Sequence, residues 1–158
     1  MTRKLDFSSR CFALLACLVP SVRAQRGTKP DFSGTWELNL AKSKLEIPPP
    51  ASTTFYIAHK EPVFRFKRIH VYRGKPNTWG IELITGGPEV VQKEDDFHAR
   101  LYWQQDVLIL DSYWMEEGAK TTNIVKYSLS NNAMVFTADE LVRGPKAKHH
   151  NVWVFDRR

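Results

Sequence analysis

The sequence predicts an all-β protein, a single antiparallel up-and-down β-barrel of about eight to ten strands, and three observations predict it. Runs rich in Val, Ile, Phe, Tyr, Trp and Thr recur from Asp31 to Asp156, broken by Pro, Gly, Asn or paired charges. Several of these runs alternate apolar and polar residues with a period of two, which lines one row of side chains along one face of a pleated strand. The links between runs are short, as at Glu61-Pro62, Gln104-Gln105-Asp106 and Asn131-Asn132. Such links join antiparallel neighbours, because a parallel crossover needs a dozen residues or more. A long meander of this kind removes its exposed edges by closing on itself.

The chain begins with a segment that does not belong to the barrel. Arg3, Lys4 and Arg10 precede an apolar run from Cys11 to Val19, and Val22-Arg23-Ala24 offers a small-residue cleavage site. This is the pattern of a signal peptide over residues 1–24, cleaved after Ala24, and it predicts a secreted or periplasmic protein. The apolar run falls far short of the roughly twenty residues that span a bilayer as a helix, so no transmembrane segment is expected. An alternative reading acylates Cys17 as a lipoprotein anchor; the apolar Leu18-Val19-Pro20 that follows it disfavours a polar tether. Residues 25–158 then form one domain. Both cysteines, Cys11 and Cys17, leave with the leader, so burial and the strand ladder replace disulfides in holding the fold. Loss of Arg3, Lys4, Arg10, Arg23 and Asp6 lowers the net charge from +6 to +3, too little to argue for nucleic acid.

The first strand lies in Asp31–Leu40, where Trp36, Leu38 and Leu40 alternate with Glu37 and Asn39, and Gly34 lets the backbone bend two residues before the indole. Ala41 to Ser52 holds Pro48-Pro49-Pro50, a stiff crossing at one end of the barrel that cannot donate ladder bonds. Further strands are expected over Thr53–Lys60, Val63–Tyr72, Thr78–Thr85, Val90–Glu94 and Phe97–Trp103. The last four cover Val107–Met115, Lys120–Leu129, Met134–Val142 and Ala147–Asp156. The run from Val63 to Val71 breaks period, with Phe64 and Phe66 on one parity and Ile69 and Val71 on the other. A β-bulge near Lys67 or Arg68 would return them to one side. Val107–Leu110 and Val152–Phe155 are apolar on both faces, which requires an outer cover or leaves a contact patch.

The run Asp31-Phe32-Ser33-Gly34-Thr35-Trp36 resembles the Gly-x-Trp signature of the calycins, the superfamily of lipocalins, fatty-acid-binding proteins and avidins. With the trailing Asn39-Leu40-Ala41-Lys42-Ser43 it is similar to short secreted bacterial lipocalin-like proteins. The resemblance implies that Trp36 sits at the closed end of the barrel. It also implies that a cation near the last strand lies across the indole, a role open to Arg157 or Arg158. Gly34, Trp36 and Arg157 are accordingly the expected closure residues, although the two arginines stand at the extreme terminus, where the alternative is a solvated basic tail.

The inward rows are predicted to carry Trp36, Leu38, Phe55, Ile57, Phe64, Phe66, Trp79, Ile81, Leu83, Leu101, Trp103, Tyr127 and Phe136, with Trp153 on the last strand. A barrel of this size either fills with such side chains or keeps room for one small ligand, and both readings stay open. Arg65, Arg100, Glu82 and Asp111 are polar groups that would meet a ligand carboxylate if they faced the mouth, and their parity is undecided. Adjacent strand neighbours such as His149 and His150 point to opposite faces and cannot share a metal ion, so no metal or cofactor is expected. Asp95-Asp96 and Glu116-Glu117 fall at turns, and Gly-x-Ser-x-Gly, His-Glu-x-x-His and phosphate-binding glycine loops are absent, so no catalytic residue is assigned. Basic residues from Lys60 to Arg73 interleave with Phe64, Phe66 and Tyr72, but export argues against a nucleic-acid partner. The expected function is binding of a small apolar or amphipathic molecule inside the barrel. The alternative is a filled barrel acting through its surface as a cell-envelope structural or interaction module.

Overall fold

Alternating rows of bulky β-formers in the sequence become ten antiparallel strands in the computed structural model, which describes residues 29–158. The leader and the Cys17 anchor of the sequence reading lie outside the described residues. The strands are β1 (Gly34–Leu38), β2 (Ser52–Lys60), β3 (Val63–Tyr72), β4 (Lys75–Ile84), β5 (Val90–Gln92), β6 (Phe97–Gln104), β7 (Val107–Glu116), β8 (Ala119–Ser130), β9 (Val135–Arg143) and β10 (Lys148–Arg157). No helix occurs among the described residues.

One sheet runs in the order β4-β3-β2-β1-β10-β9-β8-β7-β6-β5, so the first and last strands pair and the only two edges belong to β4 and β5. A barrel closes where those edges meet. Gly86 N donates to Leu101 O at 2.7 Å, and Gln92 on β5 reaches β4 with its amide, donating to Gly80 O at 2.9 Å and accepting from Trp79 Nε1 at 3.1 Å. The all-β, up-and-down, nearly closed architecture is therefore the one that strand spacing and link length predict. β4 begins earlier than expected, because Arg73 and Gly74 take φ of 50° and 73° in a two-residue hairpin and Lys75–Asn77 pair directly with Tyr72–His70. Pro76 is tolerated there because β4 is an edge strand.

The bulge expected near Lys67 or Arg68 does not form. Pairing of β3 is unbroken on both sides, from Lys60↔Val63 to Ser52↔Val71 and from Val63↔Ile84 to Tyr72↔Lys75. Parity is simply kept: Phe64 and Phe66 face inward, and so do Arg68 and His70, while Ile69 and Val71 lie half-buried on the outside. An inward row must stay apolar only where the barrel is packed, and here it runs out of the packed region.

That packed region is the end near the chain termini. Phe32 and Trp36 are fully buried there with Phe64, Phe136 and Phe155, and the rings lie at centroid separations of 5.4 Å for Trp36–Phe136 and 5.8 Å for Phe32–Phe136. Burying each such side chain contributes about 1.5–3 kcal/mol, and each ring pair adds about 0.5–1.5 kcal/mol. The chain leaving β1 continues to pair beside β10, whose outward Val152 and Val154 stay half-buried. Asn39 N donates to Val154 O at 2.8 Å, and Lys44 and Val152 exchange backbone bonds of 2.8 and 2.7 Å. Beyond it the proline segment crosses the opposite end of the barrel, with Pro50 fully buried and Leu45 and Ile47 packed on the core.

Candidate functional site

At the packed end Gly34, Trp36 and Arg157 lie against one another. Trp36 is wholly buried and its Nε1 donates to Phe32 O at 3.0 Å. The guanidinium carbon of Arg157 stands 4.3 Å from the centroid of the indole, and the same group donates to Ser33 O at 2.7 Å and to Ala133 O at 2.9 Å. The last strand is paired to its end: Trp36 lies opposite Arg157 in the ladder and Arg158 N donates to Thr35 O at 3.0 Å. Gly34 takes a φ of +144°, and a Cβ there would stand 2.7 Å from the Arg157 Nη1. Arg158 is spent on the outside, 3.1 Å from Glu37.

At the other end the interior is hollow. A cavity of about 540 Å³ opens between the mouth hairpins and the packed rings. Among the predicted inward residues, Phe55, Phe66, Trp79, Tyr127 and Trp153 line it. Trp36, Ile57, Phe64, Ile81, Leu83, Leu101 and Phe136 lie instead in the buried core, with Leu38 and Trp103 packed against it. Strand parity fixes which face a side chain takes and says nothing of its height along the barrel axis, so one inward row divides between core and cavity. Phe97 and Trp114 complete the aromatic wall.

Polar groups enter this wall where sequence reasoning did not place them. Arg65 pairs with Glu82 and Arg100 with Asp111, all on the outer face and outside the cavity lining. The cation inside is Arg68, half-buried, 5.6 Å from the Trp79 ring centroid, with one long bond of 3.4 Å to Asn77 Oδ1. Burial pulls its guanidinium below the ordinary range and the charge of Glu140 opposes that pull. Two residues on, His70 bonds Thr53 Oγ1 through Nδ1 at 2.7 Å and stacks on Trp153 at 5.6 Å. Burial first, and the Arg68 charge second, push its pKa down to about 4, so the imidazole is neutral at neutral pH.

Glu140 projects from β9 and accepts three N–H groups, from Asn151 Nδ2 and Trp153 Nε1 at 2.8 Å each and from Asn123 Nδ2 at 3.2 Å. Its charge also acts on Tyr127, whose phenol is raised far above its ordinary value by burial and then by Glu140. The sequence signal for these groups was parity itself. Phe64-x-Phe66-x-Arg68-x-His70 and Phe136-x-Ala138-x-Glu140-x-Val142 are uninterrupted inward rows, and assuming a bulge hid the first.

His149 lines the cavity while His150 turns outward to Asp139 at 2.6 Å, so the pair does not converge. No cluster of three metal-ligating side chains occurs among the described residues, and with no helix there, none crosses a membrane as one.

No protein-family model matches the sequence, and no curated protein matches it. Solved structures do. A REP1-NXSQ fatty acid transporter superposes with a TM-score of 0.58 at 12% identity, covering 81% of this chain and 96% of its own. The secretory abundant heat soluble protein 4 from Ramazzottius varieornatus gives a TM-score of 0.54 at 13% identity over 80% of this chain and 94% of its own. Human cRBP IV gives 0.54 at 11% identity over 82% of this chain and 99% of its own. At such identities the likeness is one of architecture, that of an antiparallel up-and-down β-barrel.

Proposed function

We propose that this chain is an exported carrier, not an enzyme, that holds a small apolar or amphipathic molecule in the open half of its barrel. The single observation that supports it most is the cavity of about 540 Å³, walled by aromatic rings and reached from one end. That volume lies within the range of about 300–1,000 Å³ common to small-molecule sites. A filled interior, the requirement of the alternative envelope-module reading, is met only in the half next to Trp36. Two structures of the same architecture bear on the ligand class, since one is described as a fatty acid transporter and another as a cRBP. Export rests on the basic, apolar and small-residue pattern of residues 1–24.

Native mass spectrometry of the protein purified from the cells that make it tests the reading. A co-purifying small molecule, lost on mild denaturation, is the expected result. A purely apo spectrum, together with no binding of apolar fluorescent probes, would remove the carrier assignment. N-terminal sequencing of the same material should begin at Gln25; a mature chain that retains residues 1–24 would refute export by cleavage.

A further inference from the structure

The polar groups of the cavity are mismatched in a way that describes an occupant. Arg68 takes part in no ion pair among the described residues, and its Nε is buried without a hydrogen-bond partner. The one other buried side-chain polar atom in that condition among the described residues is Asn123 Oδ1. Both side chains line the same cavity. They stand on opposite walls, since β3 and β8 are five places apart in a ten-strand order. One orphan is a donor and the other an acceptor. Beside Asn123, the Oε1 of Glu140 accepts a single bond and keeps a lone pair for another donor. A buried polar group left unmatched is costly, so an occupant that satisfies both walls gains on both.

We propose, resting on the carrier reading, that the occupant is an amphiphile whose polar end carries an anionic acceptor and an O–H or N–H donor together. Arg68 reads the anion, and Glu140 with Asn123 reads the donor, once the two orphaned side chains turn toward it. A plain fatty acid brings acceptors only. It matches Arg68 but sets its own negative charge in a cavity that already holds the Glu140 carboxylate, with no proton to place between them. A plain alcohol brings the donor and leaves the half-buried guanidinium without a counterion. A hydroxy acid, or an acid bearing an amide N–H near its head, satisfies both walls.

Titration calorimetry of the full chain with dodecanoate, 3-hydroxydodecanoate and 1-dodecanol tests this. The hydroxy acid is expected to bind about tenfold or more tightly than either of the others, the effect of one added hydrogen bond to a charged group. Glu140→Gln should erase the margin between the two acids, with dodecanoate bound at least as tightly as before, because the opposing charge is gone and glutamine still offers Asn151 and Trp153 an acceptor. Arg68→Met should weaken both acids and tighten dodecanol, since no guanidinium is then left without a counterion. Thermal unfolding of the ligand-free variants confirms that they fold, and Asn123→Ala takes the place of Glu140→Gln if that variant does not. Dodecanoate or dodecanol binding as tightly as the hydroxy acid would overturn this inference and leave the carrier reading standing. Failure of all three to bind would overturn both.

Discussion

Gly34 is the residue whose side chain matters by its absence. A φ of +144° is one that only glycine adopts without strain, and the space a methyl would fill is 2.7 Å from Arg157 Nη1. Gly34→Ala is expected to destabilise the fold by about 1–3 kcal/mol, read as a lower denaturation midpoint in guanidinium chloride. Part of that loss is backbone strain and part is displacement of the guanidinium from the Trp36 indole. Arg157→Met separates them: it removes the cation and its bonds to Ser33 O and Ala133 O, and in that background the alanine should cost less. Equal cost of the alanine in both backgrounds would show that glycine serves the backbone alone. The sequence made these three residues visible, because Gly-x-Trp is a local pattern. The choice of Arg157 over Arg158 has less behind it, since it depends on whether the ladder carries the last strand to its end.

At the level of elements, hairpins and strand count were legible because short links and two-residue alternation are local. The polar interior was not. Phe64 to His70 is one inward row, yet its second half reads as polar surface unless the cavity is known, and a bulge was the reading that kept the core apolar. The proline segment shows the same limit, since Pro48-Pro49-Pro50 announces a stiff crossing without saying what holds it. It is held by Asn151, a fully buried side chain whose Oδ1 accepts from Glu46 N at 2.9 Å while its Nδ2 donates to Glu140 at 2.8 Å. The strap at the mouth and the carboxylate in the cavity thus share one residue. Asn151→Leu should therefore loosen the crossing selectively. Hydrogen exchange is expected to lose protection at the Lys44 and Glu46 amides while β7, β8 and β9 keep theirs, with a global cost of about 1–3 kcal/mol. Uniform loss of protection across all strands would mean that Asn151 supports the barrel at large and not the strap.

As a whole, the molecule divides a single barrel into a packed half that supplies stability and a hollow half that spends some of it. His70 marks the boundary: it is buried deeply enough to hold a pKa of about 4, against an ordinary 6.5, yet it faces the cavity instead of a charged partner. Its folded-state pKa is depressed, so the unfolded chain binds a proton more readily across that interval. Stability from this group is complete above pH 6.5 and is lost as pH falls toward about 4, below which both states are protonated and its contribution stops changing. Urea midpoints measured across this range should fall on the acid side. His70→Phe, which retains a ring against Trp153 and cannot protonate, should flatten that fall while losing the Thr53 hydrogen bond at every pH. The difference between the two proteins, and not the slope of either, is the quantity that isolates His70. A difference that stays constant from pH 6.5 to 4 would show that the imidazole takes up its proton without resistance from the folded barrel, and that water already reaches the boundary between its two halves.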